Sequence, residues 1–133
     1  FLILGVGVDI CSIARIQRKV NELGSHFYNL ILTENEIEQC KLDNDFILSL
    51  TYRFATKEAF YKAFDVPKKK LLMWKELEVL KNKFNMHEIK LLDNTNNLFE
   101  EFLPNQSKYN ISNSIAIIKE FVICKVIITY YKC

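Results

Sequence analysis

"RFATKEAFYKAF", Arg53 to Phe64, is the stretch on which the reading of this chain turns. It belongs to a helix predicted over 46–64, with Asp43 or Asn44 as its cap. Asp65-Val66-Pro67 ends it, because proline disfavours helix in the residue before it. Ala55, Ala59, Phe60, Ala63 and Phe64 supply a packing surface. Phe54, Glu58 and Lys62 recur at i, i+4 and i+8, and Arg53 and Lys57 form the neighbouring stripe. Read alone, Glu58 with Lys62 is a surface ion pair worth about 0.3–0.5 kcal/mol.

Upstream, "FLILGVGVDI", Phe1 to Ile10, is apolar and β-branched and predicts a buried strand that reaches an acid, Asp9. Ser12 caps a helix through Ile13, Ile16, Val20 and Leu23, with Arg15, Arg18, Lys19 and Glu22 on its other faces and Gly24 as its stop. Thr33-Glu34-Asn35-Glu36 is a capping box before a short helix to about Lys41. Downstream the pattern changes. "ELEVLKN" (76–82) and "NMHEIKLL" (85–92) predict strands around a short polar break. "NTNNLFEEFLP" (94–104) suits a helix stopped by Pro104. "KYNISNSIAII" (108–118) and "EFVICKVIITYY" (120–131) predict a β-hairpin. The fold class is therefore α+β, helices on a mostly antiparallel sheet, with residues 1–133 read as a single domain.

The composition excludes several functions. Half of the 133 residues are hydrophobic and 26% are charged, as in a globular protein that buries a core without disulfides. A net charge of +2 argues for neither nucleic acid nor membrane. Lys68, Lys69 and Lys70 read as a solvated loop. Cys11, Cys40, Cys124 and Cys133 form no CxxC pair, and with only His26 and His87 there is no zinc spacing, so free thiols are expected. Lys119, Glu120 and Lys125 interrupt the most apolar tail, so no membrane-spanning helix is predicted. No signal peptide is recognised; because the chain opens at Phe1, a removed targeting segment or a trimmed chain is consistent with it.

Asp9 changes how the 46–64 helix is read. A carboxylate ending an apolar strand needs a partner or caps the next helix. Two carboxylates on two rigid elements, Asp9 and Glu58, can share a hard cation. Mg²⁺ commonly takes one or two carboxylates together with phosphates and waters. Lysines and an arginine beside it suit phosphate. The chain has neither a P-loop nor a GxGxxG, which disfavours nucleotide binding through a glycine loop.

The residues "GVD" (Gly7–Asp9) and "FATKEAFYK" (Phe54–Lys62), about 45 residues apart, resemble the two signatures of phosphopantetheinyl transferases of the short bacterial-type branch, the holo-acyl-carrier-protein synthases. "ILTENEIE" (31–38) and "WKELEVL" (74–80) resemble segments between them. The resemblance implies transfer of the 4′-phosphopantetheine arm of coenzyme A to a serine of apo-acyl carrier protein, with release of adenosine 3′,5′-bisphosphate. Under it, Asp9 and Glu58 are the Mg²⁺ ligands and Asp9, Glu58 and Lys62 the catalytic set. Arg53, Lys57, Lys62, Ser112 and Asn113 contact coenzyme A. Arg15, Arg18 and Lys19 dock an acidic acyl carrier protein, with Phe27 or Leu30 as apolar additions. A homotrimer with sites at subunit interfaces is also implied, without nucleic acid or membrane partners. The Asn-, Lys- and Ile-rich composition, joined to the resemblance, points to a relict plastid, with a bacterial cytoplasm as the alternative.

The chain departs from the pattern in places. Asn113, in "NISNS" (110–114), stands where the family usually has histidine, which keeps a hydrogen-bonding role and excludes a histidine base. Asp65 replaces a glycine, Lys83 to Met86 replace a Gly-Lys-Pro turn, Tyr61 stands where a small residue is common, and Ile115 to Ile118 resemble an insertion. The competing readings are a non-catalytic relative that binds coenzyme A or the carrier and, more remotely, a nucleic-acid-binding domain using Lys68–Lys70. Retention of both Asp9 and Glu58 favours the enzyme, since a binder has little use for a metal pair.

Overall fold

The computed structural model describes residues 1–65, 74–104 and 106–132. Val66, Pro67, Lys68, Lys69, Lys70 and Cys133 lie outside them. The order is β1 (Leu2–Ser12), α1 (Ile13–Leu23), α2 (Ser25–Ile31), α3 (Glu34–Leu42), α4 (Phe46–Ala63), β2 (Leu77–Lys81), β3 (His87–Leu91), α5 (Asp93–Glu101), β4 (Ser107–Ile118) and β5 (Phe121–Lys132). The α+β expectation holds. One antiparallel sheet runs β1-β5-β4, and β2 and β3 form a second. Among the described residues no helix is long and apolar enough to cross a membrane.

Local signals set most boundaries. Ser12 Oγ accepts from Arg15 N–H at the start of α1, and Gly24, at φ 59°, ends that helix. Thr33 and Glu36 form both halves of the capping box on α3. One expectation is corrected. The cap of α4 is Asp45, whose Oδ1 accepts from Leu48 N–H; Asp43 instead closes α3 and takes the Ser49 hydroxyl at 2.6 Å. Helix α2 had no sequence signal.

The first strand is not buried on both faces as expected. Gly7 and Cys11 are buried, whereas Val6, Val8 and Ile10 are about half exposed or more. Strand side chains alternate between faces, so one face of β1 meets the helices and the other is open. Register extends this across the sheet. Val6 lies opposite Ile127 and Ser112, Val8 opposite Lys125 and Ser114, and Ile10 opposite Ile123 and Ala116. The inner face carries Gly7, Val126 and Asn113 in one row and Asp9, Cys124 and Ile115 in the next.

Helix α4 crosses the inner face at unusually close range. A Cβ on Gly7 would stand 1.9 Å from the Ala59 carbonyl oxygen, and one on Gly5 equally close to that of Ala63. Only glycine on the strand permits this approach to the helix backbone. Phe60, Phe64 and Phe99 fill the space beside it with Leu50, Val126 and Ile128. Ile115 to Ile118 are absorbed as extra strand length, since β4 pairs with β5 without a shift from Ser107 to Ile118. The turn after β2 is closed by Asn82 Oδ1, which accepts from Phe84 and Met86 N–H, with Asn85 at φ 61°. Asparagine tolerates that left-handed position, so the missing glycine is replaced.

Gly7→Ala is expected to lose about 1–3 kcal/mol, the usual cost of overpacking. The midpoint of urea unfolding checks this; a midpoint equal to that of the unsubstituted protein would show that the close approach is not required.

Candidate active site

The glycine contact places Asp9 beside α4. Asp9 follows Gly5 and Gly7 on the same face of β1, and Glu58 and Lys62 lie one helical turn apart on α4. Lys62 Nζ donates to Asp9 Oδ1 at 2.8 Å and to the Val8 carbonyl at 3.1 Å. The hydrogen bond to Asp9 raises the Lys62 ammonium above its ordinary pKa. Burial first, and then the like charge of Asp9, push the Glu58 carboxyl above its ordinary range. Lys62 and Arg15 partly offset that rise. Asp9, Glu58 and Lys62 therefore share one field, with Arg15 of α1 at its edge. Cys11 stands nearby and is inert, since burial and the two carboxylates push its thiol up to about 11.

The chemistry of this set suits a hard divalent cation. Its donors are carboxylate oxygens, and the repulsion felt by Glu58 is what a cation would relieve. Among the described residues no three His, Cys, Asp or Glu side chains converge. This chain thus offers a cation two carboxylates and leaves its other positions to water and substrate oxygens, which matches the habit of Mg²⁺.

Arg53 and Lys57, expected at coenzyme A phosphates, are elsewhere. Both are fully buried, with every observed donor engaged. Lys57 Nζ donates to the Ile31 carbonyl at 2.6 Å, Glu36 Oε1 at 2.7 Å and the Trp74 carbonyl at 3.0 Å, three acceptors for three hydrogens. Burial lowers its pKa and Glu36 opposes that. Arg53 donates to the Val79 carbonyl, the Tyr52 hydroxyl, Gln39 Oε1 and Ser49. Glu36, also fully buried, takes Thr33 N–H, Val79 N–H and Lys57. The second charged stripe of α4 is a structural network that ties α3, α4 and β2 together. The sequence shows Glu36 as a capping residue; that it also receives Lys57 is a tertiary fact.

Ser112 and Asn113 are not brought to Asp9 within one chain, because β5 lies between. Ser112 is on the open face of the sheet. Asn113, on the inner face, donates to the His87 carbonyl at 3.2 Å. It lines a cavity of about 390 Å³ with Tyr52, Lys81, Asn85, His87 and Ser114. His87, which sequence reasoning passed over, has a buried Nε2 without a hydrogen-bond partner. Burial first, with Arg53 and Lys81 beside it, holds its pKa down at about 4, so Lys81 is the cation of that cavity at neutral pH. Arg15, Arg18 and Lys19 are exposed on α1, and Leu30 is exposed on α2, while Phe27 packs against the core.

Residues 5–122 match the 4′-phosphopantetheinyl transferase superfamily. A holo-acyl-carrier-protein synthase of Chlorobaculum parvum is 43% identical over 86 residues, covering 65% of this chain and 74% of that one. One from Geobacter sp. strain M21 is 32% identical over 100 residues, covering 75% and 80%. Among solved structures, the synthase of Neisseria meningitidis superposes with a TM-score of 0.82 at 25% identity, covering 96% of this chain and 99% of that one. That of Helicobacter pylori, solved in complex with coenzyme A, gives 0.77 at 31% identity, covering 93% and 99%.

Lys57→Met is expected to destabilise the fold by about 3–5 kcal/mol, because it takes from the buried Glu36 carboxylate its cation at 2.7 Å and leaves only Arg53 at 4.0 Å. Adding Glu36→Gln should recover part of the loss in urea unfolding. Unchanged stability with a raised KM for coenzyme A would instead return Lys57 to the substrate.

Proposed function

Because the chain belongs to the 4′-phosphopantetheinyl transferase superfamily and is a holo-acyl-carrier-protein synthase, we propose that Asp9, Glu58 and Lys62 form its reaction centre. The enzyme moves the 4′-phosphopantetheine arm of coenzyme A to a serine of apo-acyl carrier protein and releases adenosine 3′,5′-bisphosphate. The observation that carries the reading is the hydrogen bond from Lys62 of α4 to Asp9 of β1, with Glu58, one turn earlier on α4, close enough to feel the charge of Asp9.

Asp9 and Glu58 would hold Mg²⁺, which supplies Lewis-acid polarisation of a phosphoryl oxygen when bound. The other roles belong to the chain. Lys62, about half exposed, can follow the charge on the pyrophosphate oxygens as the bond to the leaving nucleotide breaks. The exposed Arg15, Arg18 and Lys19 lead away from the centre along α1, and they offer an acidic carrier a docking line that ends at the reacting atoms. Non-catalytic binding of coenzyme A gives no reason for this carboxylate pair.

A homotrimer fits the open sheet face. Val6, Val8, Ile10 and Phe121 on that face are 40–63% exposed. An open sheet face that carries these apolar side chains among Ser112, Ser114 and Lys125 marks an association surface. An interface there would take Ser112, and it offers the cavity lined by Lys81 and Asn113 to the nucleotide end of coenzyme A held by a neighbouring subunit. The relict-plastid compartment belongs to this proposal through composition alone, and imaging of a tagged full-length protein against a plastid marker decides it.

With coenzyme A and Mg²⁺, apo-acyl carrier protein should gain the mass of one phosphopantetheine arm. Asp9→Asn and Glu58→Gln should each cut that transfer about 100-fold or more. Arg15→Ala with Arg18→Ala should raise KM for the carrier far more than for coenzyme A, with the gap closing at high salt. Absence of transfer to several competent carriers, or full activity of either carboxylate variant at limiting Mg²⁺, would refute the centre. For the assembly, Val8→Glu should convert a trimer to monomers in light scattering while the far-UV spectrum is kept; a monomeric unsubstituted protein would end the trimer reading.

A further inference from the structure

Lys62 holds a position that a cation bound to Asp9 would need. Its Nζ donates to Asp9 Oδ1 at 2.8 Å and to the Val8 carbonyl at 3.1 Å, two hard oxygens of β1. A divalent ion about 2.0–2.1 Å from that carboxylate would face the ammonium across a short gap, where like charges repel. One of the two has to yield. The Asp9 side chain is 13% exposed and sits on a strand pinned by Gly5 and Gly7, whereas that of Lys62 is 53% exposed. Lysine carries its charge on a flexible four-carbon stem, so it can leave Asp9 by side-chain rotation alone.

We propose that Lys62 is a built-in stand-in for the divalent cation. In the substrate-free enzyme its ammonium occupies the cation's place on Asp9; the arriving cation displaces it, and the freed ammonium turns to the phosphate oxygens of coenzyme A. This rests on the reading of Asp9 and Glu58 as cation ligands. The charges give the exchange a direction. Asp9, Glu58 and Lys62 sum to one negative charge, which repels a pyrophosphate. A divalent cation turns the sum to one positive charge and frees the lysine that would grip the substrate. Cation binding therefore precedes or accompanies productive binding of coenzyme A.

Two measurements on the full chain test this, with Mn²⁺ or Mg²⁺ alone as the probe. Lys62→Met removes the competitor, so its Kd for Mn²⁺, read from the free-ion resonance, should tighten about 3- to 5-fold, the span of an exposed ion pair. In the unsubstituted protein the ¹⁵Nζ resonance of Lys62 should move on saturation with Mg²⁺ to the position it has in metal-free Asp9→Asn. Equal Mn²⁺ affinity in the two proteins overturns the exchange and leaves the metal centre standing. So does a Lys62 resonance that stays in place while Mg²⁺ saturates, since a through-space field alone would not break the hydrogen bond. Failure of both proteins to bind Mn²⁺ overturns the exchange together with the metal reading beneath it.

Discussion

The carbonyl oxygens of Ala59 and Ala63 stand where side chains at Gly7 and Gly5 would begin. The rest of the site depends on this contact. It sets the distance between β1 and α4, and that distance lets an acid on the strand reach a lysine on the helix. The contact is made of backbone and small side chains, so it has little freedom to adjust. Asp9 and Glu58 are thereby held on two elements that cannot drift apart without unpacking the core.

Helix α4 is enclosed on most of its circumference. Arg53, Lys57, Thr51 and Thr56 are as buried as Leu50 and Phe60. Polar groups withdrawn from water in this way must find partners. Glu36, Gln39, Ser49 and the carbonyls of Ile31, Trp74 and Val79 supply them. The four cationic or acidic side chains of "RFATKEAFYKAF" thus divide by stripe. Arg53 and Lys57 fasten the helix to α3 and β2, and Glu58 and Lys62 lie on the stripe beside Asp9, while Asp65 lies just past the helix end. A rotation of about 100° between neighbouring residues separates the two stripes.

Much of this was legible along the chain. Ser12, Gly24 and the Thr33–Glu36 box mark helix ends through local hydrogen bonds, and local bonds are read from neighbours in sequence. The β4–β5 hairpin is announced by two long β-branched runs. Asp9 and Glu58 were legible as site candidates through the two signatures. Asp45 as the cap, α2, and the open face of β1 were not, because each depends on where another element lies. An apolar strand reads the same whether its second face meets a helix or is left uncovered.

The sequence by itself determined the fold class and most element positions, and it singled out Asp9, Glu58 and Lys62 as site candidates together with Arg53 and Lys57. These follow from periodicity, capping chemistry and motif spacing, all short-range properties. Only the tertiary structure decided which cations serve the site. Arg53, Lys57 and Lys62 are all cationic and lie on one helix, and their sequence gives no rank among them. Packing ranks them: Glu36 and four backbone carbonyls surround two of the ammonium and guanidinium groups, and Asp9 at the rim takes the third. The physical reason is that a side chain's role is set by the charges and solvent around its tip, and those come from residues distant in the chain.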